Sequence, residues 1–125
     1  MYHVDIESNP DWSFGVKAGS GAFVIDMKNN GITPPDALLA ALASCIGVYV
    51  RKYAEGAQLA LGKFSVSAEA EFSKDPLCFK LIKVSVDLKG LQLDERRKNA
   101  LLEFIKNCPV HNTLKSAPQV ETTLV

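Results

Sequence analysis

The sequence lacks any excess of one charge: 14 Lys and Arg face 14 Asp and Glu in 125 residues, a formal net charge of zero. Without a basic field there is nothing to gather a polyanion, so nucleic acid is not an expected partner. The opening residues Met1-Tyr2-His3-Val4-Asp5 have neither the basic segment nor the apolar core of a secretory leader. The longest uncharged apolar run, Ala37 to Val50, falls short of the roughly 18–20 residues of a membrane span. A cytoplasmic protein with no membrane partner is expected. GxGxxG, phosphate-loop, HExxH and GxSxG motifs are missing too, which leaves nucleotide and hydrolase chemistry without a footing.

Cysteine is scarce. Cys45, Cys78 and Cys108 are odd in number and widely spaced, unlike the disulfide framework of a small secreted domain, and should rest as thiols in a reducing compartment. There is no CxxC pair. Cys108 and His111 form one CxxH, short of the four ligands a structural zinc site needs, so neither a metal nor another cofactor is expected.

What is present fits a single α+β domain over residues 1–125, with 47% apolar residues to build its core. Short strands are predicted at His3–Glu7, Trp12–Lys17 and Ala22–Met27, broken by Asn9-Pro10-Asp11 and by a hairpin at Gly19-Ser20-Gly21. Thr33-Pro34-Pro35-Asp36 has the form of a helix start, with Thr33 as cap and Asp36 over the free N–H groups. The helix should run to about Glu55, with Gly56 as its C-terminal cap. From Ala37 to Val50 it is apolar all round, and Ala40, Ala41, Ala43, Ser44 and Gly47 allow close approach. A domain this small has difficulty enclosing such a helix alone, so a homodimer is expected.

Period-two alternation from Phe64 to Phe72 predicts a half-buried strand. Cys78 to Lys89 should return as its partner, with a bulge near Leu81 where the apolar phase shifts. Asp94 is expected to cap a helix whose stripe is Ala100, Leu101, Phe104, Ile105 and Cys108, interrupted by Pro109. Gln119–Val125 has the composition of an edge or closing strand. His3 and the run Asp94-Glu95-Arg96-Arg97-Lys98 are read as solvated.

The residues alone leave the thiols open. Cys45, mid-helix among Leu38, Ala41, Leu42, Val48 and Tyr49, is either a small buried hydrophobe or a nucleophile that needs a cation from elsewhere in the fold. Lys52 lies about 10 Å further along the axis. Cys108, where Pro109 begins another helical turn and with His111 three residues on, is by local criteria the more acidic thiol. Its place on an amphipathic stripe also suits a core residue. Cys78 has no local activator and is read as a spectator.

The stretch Pro34-Pro35-Asp36-Ala37-Leu38-Leu39-Ala40-Ala41-Leu42-Ala43-Ser44-Cys45, taken with Cys108-Pro109-Val110-His111-Asn112-Thr113-Leu114, resembles the OsmC/Ohr family of osmotically inducible and organic hydroperoxide resistance proteins. The resemblance implies antiparallel sheets wrapped around a central apolar helix in an intertwined homodimer. It also implies a cofactor-free thiol peroxidase acting on organic hydroperoxides or hydrogen peroxide. Cys45 would become a sulfenic acid, Cys108 would resolve it as a disulfide, and an external dithiol would reduce the pair. Asp36 stands at the acidic position where the hydroperoxide reductases carry a glutamate. Their arginine from the N-terminal strands has no counterpart, since no arginine precedes Arg51 and the region holds Lys17 and Lys28 instead. The alternative is a noncatalytic dimeric module that binds a small ligand beside Cys45.

Overall fold

The polar turns of the first thirty residues set the N-terminal architecture. The computed structural model describes residues 1–125 and divides into two compact units, residues 1–40 and 41–125. In the first unit, β1 (Asp5–Ser8), β2 (Ser13–Ala18) and β3 (Gly21–Asp26) form an antiparallel sheet in that order. The β1–β2 turn is held by Asp11, whose carboxylate accepts the Ser13 N–H at 3.0 Å and the Ser13 hydroxyl at 2.6 Å. Ala18 pairs with Gly21, so Gly19-Ser20 is a two-residue hairpin loop, and Gly19 supplies the positive φ of 58° that it needs. Gly31 is required for space: a Cβ there would sit 2.6 Å from the Cβ of Asp26.

The helix α1 (Pro34–Gly56) starts as its sequence predicts. The Thr33 hydroxyl accepts the Asp36 N–H at 3.3 Å, and the Asp36 carboxylate accepts the Thr33 N–H at 3.0 Å and its hydroxyl at 2.8 Å. These reciprocal bonds satisfy donors that the first turn leaves open. The other end differs from the prediction: Gly56 is the last helical residue, and the left-handed position falls on Gln58, at φ 55°. Gln58 N–H reaches the Glu55 carbonyl at 3.2 Å and Leu59 N–H the Ala54 carbonyl at 2.8 Å, a Schellman closure that tolerates a non-glycine residue at this site. At 23 residues α1 is long and apolar enough, by length and composition, to cross a membrane. The uncharged run alone had suggested otherwise.

The second unit is built on one row of that helix. Leu42, Ile46, Val50 and Ala54, spaced by four, are its buried residues. Leu42, Ile46 and Val50 cluster with Val66 of β4 (Ser65–Lys74) and Ile82, Val84 and Val86 of β5 (Leu77–Asp87), together with Leu101 and Ile105 of α2 (Glu95–Ile105). Burial of each large aliphatic side chain contributes about 1.5–3 kcal/mol. The strands pair antiparallel, and the register jumps from Glu71↔Leu81 to Phe72↔Phe79. Lys80 is therefore the extra residue, so the predicted bulge near Leu81 is found. Phe72, the last residue of the predicted alternation, lies with its ring centroid 4.5 Å from that of Phe79 and stays exposed.

The guanidinium of Arg51 donates to the carbonyls of Leu61 at 2.7 Å and Gly62 at 2.8 Å, which fixes the chain between α1 and β4. Asp94 caps α2 by accepting the Arg97 N–H at 2.8 Å. Phe104 packs on Tyr49 and Tyr53, each 5.8 Å from its centroid. Ala100, predicted on the buried stripe, is exposed because the helix turns Leu101 inward instead. Gln119–Val125 forms no strand: Val120, Leu124 and Val125 are open to solvent and no neighbouring strand pairs with the segment.

Candidate functional site

Cys108 owes its position to two helix ends. Its N–H donates to the Ile105 carbonyl at 3.0 Å just beyond α2, and Pro109 occupies the first position of α3 (Pro109–Ser116). As the cap of α3, its sulfur accepts the His111 N–H at 3.4 Å. Sequence reasoning placed this thiol at a helix N-terminus beside His111, and the contact is to the His111 backbone. The imidazole Nδ1 of His111 is itself buried and has no hydrogen-bond partner.

The same residue is completely buried, at 0% exposure. Cys45 is half-buried on α1, between the buried row of Leu42 and Ile46 and the exposed row of Ala41, Ser44 and Val48. It packs against the cluster that contains Cys108. Burial raises the Cys108 pKa above the ordinary thiol value, and the Cys45 sulfur raises it further. The His111 N–H acts the other way without prevailing. Local criteria credited the helix N-terminus with making Cys108 more acidic, but desolvation outweighs it and the shift is upward. Both cysteines are free thiols.

The remaining candidates lie in other settings. Cys78 is exposed and pairs across the β4–β5 ribbon with Ser73. Asp36 is an exposed capping carboxylate, its pKa lowered first by the Thr33 N–H and then by the Thr33 hydroxyl. Lys28 lies 4.7 Å from the Trp12 ring centroid and Lys52 4.8 Å from that of Tyr49. No three His, Cys, Asp or Glu side chains converge on a point that could hold a metal ion.

Two open cavities flank the cluster. One, of about 360 Å³, is almost wholly aliphatic and includes Ile46, Val84, Val86, Leu101 and Ile105. The other, of about 500 Å³, includes Leu42, Ile46, His111 and Leu114, with Lys106 and Lys115 also contributing. Sequence reasoning missed both. Their walls come from separate elements, and the only local hint was the three-residue spacing of His111 and Leu114 on α3.

The model of the family described as OsmC-like protein matches residues 27–123. No curated protein matches the chain in sequence. An OsmC-like protein from Mycoplasma pneumoniae has a structure similar to this one, with a TM-score of 0.79, 21% identity, and 92% of this chain and 87% of that one covered. An organic hydroperoxide resistance protein OsmC from Legionella pneumophila gives 0.65 at 17% identity, over 92% and 89%. The organic hydroperoxide resistance protein of Bacillus subtilis gives 0.59 at 18%, over 92% and 90%. The α+β arrangement of antiparallel sheets and a long apolar helix is therefore an OsmC-like fold.

Proposed function

This chain belongs to the OsmC-like protein family, and we propose that it is a cytoplasmic thiol peroxidase of organic hydroperoxides or hydrogen peroxide. What supports this reading is that two free thiols from distant parts of the sequence, one half-exposed and one buried, belong to one packed cluster of side chains. A half-exposed sulfur is open to a peroxide, and a sealed one is kept for the second step. Two structural neighbours bear the name organic hydroperoxide resistance protein, which supports the same substrate class and a role in oxidative stress.

In the first step the Cys45 thiolate attacks the distal oxygen of ROOH. The O–O bond breaks, RO⁻ takes a proton and leaves as alcohol, and Cys45 becomes a sulfenic acid. The Cys108 sulfur then displaces that hydroxyl, releasing water and forming the Cys45–Cys108 disulfide. An external dithiol returns two electrons and two protons by exchange. Neither metal nor organic cofactor takes part. Asp36 contributes by fixing the first turn of α1. Hydroperoxide consumption with dithiothreitol as reductant tests the reading. Multiple turnovers per protein are expected, and a rate equal to that without protein would contradict it.

The acting form is a homodimer in this proposal. Ala40, Ala41, Ser44 and Val48 leave one face of α1 exposed, with Val48 at 51%. A second copy would cover it and make α1 a core helix, not a membrane span. Light scattering after size exclusion should give twice the chain mass at micromolar concentration; a monomer would count against it. The aliphatic cavity of about 360 Å³ favours a second reading, a noncatalytic dimeric module for a small apolar ligand. Slow oxidation of all three cysteines alike would favour that reading.

A further inference from the structure

The two cavities beside the core cluster differ in charge. The aliphatic one, of about 360 Å³, has Lys98 as its single charged lining residue, and that amine already meets Glu95 at 3.4 Å. The other, of about 500 Å³, is bordered by Lys80, Lys106 and Lys115 and by no acidic residue. Each lysine comes from a different element. Lys80 is the extra residue of the β5 bulge, Lys106 follows the last turn of α2, and Lys115 stands in the last turn of α3. All three are exposed, so their amines ring the solvent side. The inner wall is apolar, with Leu42 and Ile46 of α1, Ile82 and Val84 of β5 and Ile105 of α2 belonging to the packed cluster. His111 borders the cavity too, and its buried Nδ1 has no partner, so the fold leaves that ring's hydrogen-bonding capacity unused.

We propose that this second cavity is a binding site for a free aliphatic monocarboxylate, its chain on the apolar wall and its carboxylate among the amines at the mouth. The volume falls within the range of small-ligand pockets. Burial of the chain supplies the affinity, at roughly 25 cal/mol per Å² of apolar surface removed from water, and the amines select the charge of the head. Glu103 lies 2.8 Å from Lys106 and Glu71 lies 3.9 Å from Lys80, so two of the three amines are partly engaged. Lys115 forms no ion pair and is the amine left for the ligand. A cationic amphiphile would meet like charge at the mouth, and a small hydrated anion would leave the apolar wall uncovered. Neither Cys45 nor Cys108 borders either cavity. The ligand is therefore not a peroxide presented to the thiols, and the site does not depend on the peroxidase reading.

The test is isothermal titration calorimetry of decanoate into the full chain, without peroxide and below the concentration at which the acid forms micelles. Saturable binding of one decanoate per chain is expected. Decylamine has the wrong charge and acetate lacks the chain, so neither should saturate. Leu114→Asp, at a position of α3 that is 37% exposed, puts a carboxylate on the cavity wall and should weaken decanoate binding about tenfold or more. Lys115→Glu reverses the unpaired charge and should weaken it about fivefold; it carries the test if Leu114→Asp does not fold. Leu102→Asp, 56% exposed and on the wall of the aliphatic cavity alone, should leave the affinity unchanged. Decylamine binding as tightly as decanoate would overturn the proposal, and so would equal losses from Leu102→Asp and Leu114→Asp. The absence of saturable heat from the folded chain would overturn it as well, which is the result if a second copy fills the cavity.

Discussion

The helix starts of α1 and α3 use one device for different ends. At α1 the Thr33 hydroxyl accepts the Asp36 N–H at 3.3 Å, and at α3 the Cys108 sulfur accepts the His111 N–H at 3.4 Å. Both satisfy a donor three residues on, as a capping side chain should. The Thr33–Asp36 bonds lie at the surface, whereas the cysteine has no exposed area. An oxygen cap in water does little beyond setting where the helix begins. A titratable sulfur sealed in the same geometry responds to desolvation, to the helix N-terminus and to a second sulfur together.

The largest effect that would break this contrast lies at Cys45, the proposed partner of the sulfur cap. Cys45→Ser should reduce hydroperoxide consumption to the rate without protein, while Cys78→Ser, at an exposed ribbon position, should stay within about twofold of the parent. Equal losses in the two assays would remove the distinction. Next comes the packing that seals Cys108. Leu42 is 4% exposed, and Leu42→Ala should cost about 2–5 kcal/mol in denaturant unfolding.

The oxygen caps should give smaller effects, confined to stability. Asp94→Ala removes the acceptor of the Arg97 N–H and should cost about 1 kcal/mol in thermal unfolding with hydroperoxide turnover unchanged. The smallest effect is a pH dependence at Asp36. Its carboxyl is more acidic folded than unfolded, because the Thr33 N–H and hydroxyl stabilise the charge. That stability is complete above the unfolded pKa and is lost as pH falls through the lowered folded value. Melting temperature measured against pH should therefore fall less steeply for Asp36→Asn than for the parent below the ordinary carboxylate range.

Much of the fold was legible where the physics is local. Thr33-Pro34-Pro35-Asp36, Asp94 and the turn at Gly19 each carry their own hydrogen-bonding or φ requirement, and each is found where the residues imply it. The phase change in β5 told of an extra residue, and Lys80 fills that position. Errors arose where distant packing decides. One local miss is the helix end, where Gln58 takes the left-handed position expected of Gly56 and the closing bonds come from Gln58 and Leu59. The Gln119–Val125 segment has strand composition but no strand to pair with it. Cys108 was expected to be acidified, whereas its pKa is raised, because its sequence neighbours reveal the helix N-terminus and conceal the burial. The proposed pairing of Cys45 with Cys108 came from family resemblance, since a separation of dozens of residues carries no local signal.

The most direct test of the account is the reaction of the reduced chain with one equivalent of cumene hydroperoxide, followed by peptide mapping of its cysteines. The account predicts rapid formation of a Cys45–Cys108 disulfide with Cys78 still reduced. A stable sulfenic acid, overoxidation of Cys45 with no link to Cys108, or a disulfide through Cys78 would contradict it.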